Sequence, residues 1–321
     1  MLAVYANAID PEDPLSGLVV GERPDPEPPE GWTTVTVKAA ALNHHDLWTL
    51  RGVGIRAEQL PMILGGDAAG IDEDGNEVVV HSVITSPDWT GDDTLDPRRS
   101  LLSEVYNGTL AQKVAVPKRN LVAKPAALSF EQAACLPTAW LTAYRMLFVK
   151  AQLAPGATVL IQGAAGGVST ASIALGKAAG LRVWVTGRSQ VKRAGAVALG
   201  ADAAFEPGAR LPDRVDAVID NVGRATWAHS LKSLKPGGVI VTCGATSGPN
   251  PPADLNRVFF LQLRVVGSTM GSRDELQQLL SLLETTGPRP QIDSVLPLAD
   301  AETGFKKLVN GDVQGKIVLL P

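Results

Sequence analysis

The chain has 321 residues, 45% of them hydrophobic and 19% charged, with a formal net charge of -4. At roughly 150 residues per domain this length suggests two domains, and the composition is that of a globular protein with a real core. The acidic balance excludes a general basic surface for nucleic acid, the two cysteines exclude a disulfide framework, and no apolar run reaches the roughly 18–20 residues of a membrane span.

The first six residues carry no basic leader and read as a strand, so a soluble cytoplasmic protein is expected. Pro24, Pro26, Pro28 and Pro29 then make a stiff connection, because proline locks φ and donates no hydrogen bond. Residues 33–39 alternate as a half-buried strand does, and residues 77–84 and 111–116 are further strands. Residues 86–100 contain Asp88, Asp92, Asp93 and Asp96 and read as an exposed loop rather than a metal site. Up to about Lys124 the chain is strand-rich and irregular.

The pattern changes at Ser129, where Ser129 and Gln132 form a capping box. Strands at 157–162, 181–186, 215–220, 238–242 and 264–268 then alternate with helices at 168–179, 190–199 (capped by Ser189) and 225–234. Such alternation predicts a doubly wound parallel sheet with helices on both faces. A second capping box, Ser272 with Glu275, opens a helix carrying Leu276, Leu279, Leu280 and Leu283. The chain closes on a strand at 316–320.

Gly163, Ala165, Gly166, Gly167 and Val168 lie between a predicted strand and a predicted helix. Glycine there lets the backbone turn tightly and approach a pyrophosphate seated on the positive helix end. An NAD site requires an acidic residue about 20 positions on, to accept the ribose 2′-hydroxyl. No acidic residue occurs between Gly180 and Gly200; the second strand runs instead into Arg188, Ser189 and Lys192. Basic residues are disfavoured at a helix start, and an anion there explains them. A 2′-phosphate would pair with Arg188 and Lys192, so NADP(H) is the expected cofactor.

With these stretches in view, the chain resembles the medium-chain dehydrogenase/reductase superfamily, in its zinc-free quinone oxidoreductase-like branch. The resemblance rests on residues 42–48, 64–70, 137–144, 163–168, 235–238, 267–272 and 315–318. It implies a GroES-like β-rich catalytic domain from residues 1–128 and 269–321, and a Rossmann domain from 129–268, with dinucleotide in the cleft between them. Strand-end contacts to the cofactor are expected from Asn221, Cys243, Gly244, Ser268 and Thr269, with Lys316 also assigned to it. A homodimer is expected through residues 264–267. Where zinc enzymes of the superfamily place Cys, His and Cys, this chain has Asn43, Gly66 and Thr138, which offer neither thiolate nor imidazole. Ser169 replaces the last glycine of the family's dinucleotide motif.

Without a metal to polarise a carbonyl, acceptors whose own conjugation spreads the charge are favoured. The leading expectation is hydride transfer from NADPH to a quinone or an α,β-unsaturated carbonyl. Asn43 and Thr138 are the candidate polar groups at the vacated position, with Asp46 and His44 beside them. Competing roles are helix capping for Asp46 and backbone support for Asn43. Trp48, Trp89 and Trp140 line a pocket or fill core. Two alternatives stand: an enoyl-thioester reductase, and a non-catalytic NADPH-binding sensor.

Overall fold

The structure, a computed structural model, describes all of residues 1–321. The chain divides into two compact units, residues 1–141 with 271–321, and residues 142–270.

The first unit is built on a seven-stranded sheet. Its centre is the ten-residue strand Trp32–Ala41, whose first half alternates in burial and whose Ala39, Ala40 and Ala41 are covered on both faces. The first half pairs antiparallel with Lys113–Pro117 and the second with Asp67–Ile71, while Ala40 and Ala41 also meet Leu319 and Val318 of the last strand, Lys316–Leu320. Strand Ile292–Pro297 pairs parallel to that last strand. Both ends of the chain therefore enter one sheet. Its core joins Val35, Leu64, Val80, Phe305 and Leu319.

The run 77–84 is not one strand. It breaks into Glu77–Val80 and Val83–Ile84, with His81 and Ser82 between them. Asn120 stitches the break, donating to the carbonyls of His81 and Val83, both at 2.7 Å. Nor is the segment 86–100 a solvated loop throughout. Asp96 is fully buried and accepts from the Ser86 amide at 2.6 Å, the Ser86 hydroxyl at 2.7 Å and the Arg98 amide at 2.8 Å. One carboxylate thus organises the segment from inside.

Ser129 caps the helix Phe130–Ala134 through the expected box, but residues 129–141 belong to the first unit rather than the second. That helix packs on strands Trp32–Ala41 and Asp67–Ile71, which moves the boundary from 128/129 to 141/142. The other boundary falls at 270/271. The chain runs on helically to Lys150 with wider π-type turns over Leu136–Trp140 and Arg145–Lys150. Trp140 is buried core, Trp48 packs at the core's edge, and the Trp89 indole donates to the Asp92 carbonyl at 3.1 Å.

The second unit holds a six-stranded sheet in which every pairing is parallel. Its spatial order is Ala203–Phe205, Arg182–Thr186, Thr158–Gln162, Val215–Asp220, Leu234–Thr242, Arg264–Gly267. This is the 3-2-1-4-5-6 order of the doubly wound dinucleotide fold, in which ligands bind beyond the carboxyl ends where the strand order reverses. Strand Ala203–Phe205, too short to stand out in the sequence, completes it. Leu160, Trp184, Val218, Leu231 and Ile240 pack its core.

Candidate functional site

In the second unit, strand Thr158–Gln162 runs straight into Gly163, whose φ is +101°, a conformation that favours glycine. Its amide donates to the Thr186 carbonyl at 3.1 Å, tying the turn to the neighbouring strand. Ala164 and Ala165 are buried, and Gly166 caps the twelve-residue helix Gly167–Ala178 without any side-chain bond to its first amides. A Cβ on Gly166 would meet nothing within 4 Å, so the helix's amino end is open in front. Gly167 and Val168 are half-buried on that turn. Ser169 is buried, its hydroxyl 3.2 Å from where a Gly163 Cβ would stand, so it packs behind the turn.

Strand Arg182–Thr186 ends at Gly187, where a Cβ would lie 2.8 Å from Ala164 Cβ; only glycine lets this turn close on the first. Arg188 follows and is exposed. The Ser189 hydroxyl accepts from the Lys192 amide as helix cap. Arg193 braces the turn, donating to the carbonyls of Gly187 at 2.7 Å and Arg188 at 3.2 Å. Beyond the remaining strands, Gly244 approaches Asn221, and the Ser268 amide bonds the Thr242 carbonyl at 2.8 Å. Thr269 is exposed. Cys243 is half-buried, and desolvation pushes its thiol up to about 12, which keeps it protonated and a poor nucleophile.

A buried chain of hydrogen bonds missed in the sequence links three of these strand ends. The Thr186 hydroxyl donates to Gln162 Oε1 at 2.5 Å, and Gln162 Nε2 donates to the Ser230 hydroxyl at 3.0 Å. Ser230 donates to Asp220 Oδ2 at 2.7 Å, and Asp220 also receives the amides of Val222 and Gly223. The signal was there: Gln162, Thr186 and Asp220 each end a buried apolar strand with a polar residue.

In the first unit, Asn43 precedes the short helix His44–Leu50. Asp46 is fully buried, and its two oxygens accept from the Asn43 amide at 2.8 Å and the Gly65 amide at 3.0 Å. Burial, the largest influence, raises its pKa to about 6. Sequestered in this way, Asp46 is a positioning residue and not the catalytic group expected. Asn43 Nδ2 donates to Asp67 Oδ2 at 2.9 Å. Lys316 Nζ donates to Asn43 Oδ1 at 2.6 Å, to Asp67 Oδ2 at 3.0 Å and to the Leu42 carbonyl at 2.8 Å. Lys316 is 3% exposed with its ammonium fully engaged, so it is an internal counter-ion rather than the cofactor contact expected. A Cβ on Gly66 would lie 3.6 Å from Thr138 Oγ1, which brings Asn43, Gly66 and Thr138 to one locality.

His44 stands exposed on the first helical turn. Desolvation of its ring, then the charges of Lys316 and Arg51, lower its pKa. His45 turns the other way, with Nε2 3.1 Å from Glu104 Oε1 and Nδ1 3.4 Å from the Ser103 hydroxyl. Its burial opposes charge, but the Glu104 hydrogen bond and the nearby carboxylates outweigh it and raise the pKa.

Two family models match the chain, one described as an alcohol dehydrogenase GroES-like domain over residues 29–126, the other as a zinc-binding dehydrogenase over residues 167–285. An acryloyl-coenzyme A reductase of Metallosphaera sedula is 31% identical, in an alignment covering 94% of this chain and 96% of that protein. A crystal structure of an NAD-dependent alcohol dehydrogenase superposes over the whole of both chains with a TM-score of 0.91 at 36% identity. The 2-octenoyl-CoA carboxylase reductase CinF, solved with NADP and 2-octenoyl-CoA, gives a TM-score of 0.91 at 26% identity, covering 99% of this chain and 87% of that one.

The zinc implied by one model's description does not fit the residues present. Asn43 and Thr138 offer an amide and a hydroxyl, and Gly66 offers nothing. The adjacent carboxylate, Asp67, already holds the Lys316 ammonium at 3.0 Å, so an incoming divalent ion would face a fixed cation. The turn of Gly163 to Gly167, by contrast, suits a dinucleotide pyrophosphate, with an open helix end and closely approaching backbone.

The raised pKa of His45 carries a sign. Its pairing with Glu104 stabilises the fold fully below the ordinary imidazole value of about 6.5, and that contribution fades as pH rises through the folded value. Glu104→Gln should lower the His45 pKa, followed by its imidazole proton resonances, and should destabilise the protein more at about pH 6 than at about pH 9. Equal destabilisation at both would show that the pair carries no charge.

Proposed function

The chain belongs to the medium-chain dehydrogenase/reductase superfamily of oxidoreductases, with a GroES-like and a Rossmann-type unit, and we propose that it is an NADPH-dependent reductase of α,β-unsaturated acyl thioesters. The observation that carries this reading is the cluster of Asn43, Asp67, Lys316 and Thr138, which sets a fixed ammonium and a hydroxyl where metal ligands would be needed. Such a site suits an acceptor whose own conjugation spreads the incoming charge. Acryloyl-CoA and 2-octenoyl-CoA, named for the two thioester-reducing proteins above, are acceptors of this kind. That similarity moves the thioester ahead of the quinone favoured by the sequence alone.

Bound NADPH supplies the hydride. Gly163, Ala165, Gly166, Gly167 and Val168 would hold its pyrophosphate on the helix amino end. Arg188, with Ser189 and Lys192 in the same turn, would meet the 2′-phosphate. Asn221, Gly244, Ser268 and Thr269, at the strand ends, would hold the nicotinamide end. In the acceptor, a hydride added at the β-carbon leaves negative charge on the thioester oxygen, and Thr138 Oγ1 donates to it. Asn43 positions this locality through Asp67 and Lys316. The α-carbon takes its proton from solvent, because Asp46 and Asp67 are engaged as acceptors and His44 has a lowered pKa.

Strand Arg264–Gly267 is the sheet's edge, and Phe260, 78% exposed, Phe259 and Val265 stand open beside it. A bare edge with an apolar flank is a template for pairing, and the occupant proposed is a second copy of the chain.

Oxidation of NADPH at the nicotinamide absorbance band should proceed with crotonyl-CoA or acryloyl-CoA and be unaffected by EDTA; turnover abolished by EDTA and restored by zinc would overturn the reading. Arg188→Ala should raise KM for NADPH about tenfold, the loss of roughly one charge-assisted hydrogen bond, and leave KM for NADH unchanged. Equal effects on both cofactors would remove Arg188 from the 2′-phosphate. Light scattering should give twice the chain mass for the wild type and the single-chain mass for Phe260→Glu.

A further inference from the structure

Ser82 sits in the break between strands Glu77–Val80 and Val83–Ile84, 1% exposed, and its hydroxyl has no hydrogen-bond partner. A buried hydroxyl without a partner is costly, and native proteins seldom leave one. Its position is specific. A Cβ built on Gly66 would lie 3.6 Å from Ser82 Cβ, 3.8 Å from Ser82 Oγ and 3.6 Å from Thr138 Oγ1. Two hydroxyls therefore flank one point, and that point is empty of protein because residue 66 has no side chain. Gly66 and Ser82 are buried, and Thr138 is the half-buried member of the three.

Gly66 has no need of glycine's conformational freedom. Its φ lies outside the left-handed region, and an added Cβ would meet its neighbours only at ordinary contact distance. Backbone geometry thus does not account for a glycine here, whereas an open notch does. Asp67 follows in the chain; its Oδ2 is answered by Lys316 and Asn43, while its buried Oδ1 has no hydrogen-bond partner.

We propose that the Gly66 notch is the subsite for the acceptor's carbonyl oxygen, with Ser82 as a second catalytic hydrogen-bond donor beside Thr138. The proposal rests on the enoyl-thioester reading above and deepens it. Hydride arrival at the β-carbon moves the alkene π pair toward the α-carbon and the carbonyl π pair onto oxygen. That oxygen gains charge in the transition state, and two donors already aimed at it lower the barrier without reorganising. Protonation at the α-carbon then restores the carbonyl and empties the subsite of charge. An acceptor without a carbonyl gains nothing from it.

The test compares wild type with Ser82→Ala and Gly66→Ala, using crotonyl-CoA and NADPH. Each variant should lower kcat/KM for crotonyl-CoA by about 100-fold, as loss of an oxyanion donor does. Neither variant should lower the melting temperature, Ser82→Ala raising it because the unpartnered hydroxyl is gone, and the dissociation constant for NADPH should stay at the wild-type value. The infrared carbonyl stretch of bound crotonyl-CoA should lie below its solution frequency in wild type and return toward it in Ser82→Ala. A wild type that turns over crotonyl-CoA while both variants match it, or while Ser82→Ala alone matches it, would overturn the proposal. A wild type inert on every enoyl thioester would overturn the functional reading, and the proposal with it.

Discussion

The ion pair between Lys316 and Asp67 is the constraint on which the rest of the first unit's site depends. Asp67 is fully buried and Lys316 nearly so, and the two are 3.0 Å apart. Removing either partner of such a pair leaves an uncompensated buried charge, at roughly 3–5 kcal/mol. The pair is further satisfied by Asn43, which accepts from the ammonium and donates to the carboxylate. Through Asn43 it fixes the start of helix His44–Leu50, and through Asp46 that helix start holds the Gly65 amide. The neighbouring Gly66, Ser82 and Thr138 thereby have a rigid frame, although none of them touches the lysine in the hydrogen-bond pattern.

The second unit solves the equivalent problem with a hydrogen-bond chain that ends on a carboxylate, without a buried cation. Its glycine turn, basic turn and Asn221 loop follow three different strands, and each needs a fixed height at the sheet's carboxyl edge. Gln162 spans between Thr186 and Ser230, and Ser230 hands the connection to Asp220. Asp220 then takes the amides of Val222 and Gly223, which fixes the start of the Asn221 loop on the same chain of bonds. A wholly apolar edge would pack as well but would not set the register of one loop against the next.

Local signals were legible where one short stretch decides the outcome. Ser129 with Gln132 and Ser272 with Glu275 both form the boxes their spacing implies, and strand Val215–Asp220 begins and ends where its apolar run does. The glycine turn opens the helix Gly167–Ala178 and Ser189 caps the next one, both where consecutive residues imply. What was not legible depends on distant partners. The break at His81 and Ser82 exists because Asn120 bonds across it. Residues 86–100 are largely exposed as their composition implies, but Asp96 is drawn inward because Ser86 and the Arg98 amide use its acceptors. Lys316 is assigned to the cofactor from the sequence, because Asp67, which holds its ammonium, lies far away in the chain.

That separation bears on how the protein is made. Lys316 and Asp67 are 249 positions apart, and the strand carrying Lys316 is among the last parts of this sequence to leave a ribosome. Until then Asp67 and Asn43 have no cation, and strand Trp32–Ala41 has one edge unclaimed at Ala40 and Ala41. Residues 142–270 are continuous and contain every strand of their own sheet, so they can close during synthesis. The first unit must instead wait, half assembled, for its closing strand. The nascent chain therefore acquires its nucleotide fold before its acceptor chemistry, and the interval between the two is when it most needs chaperoning.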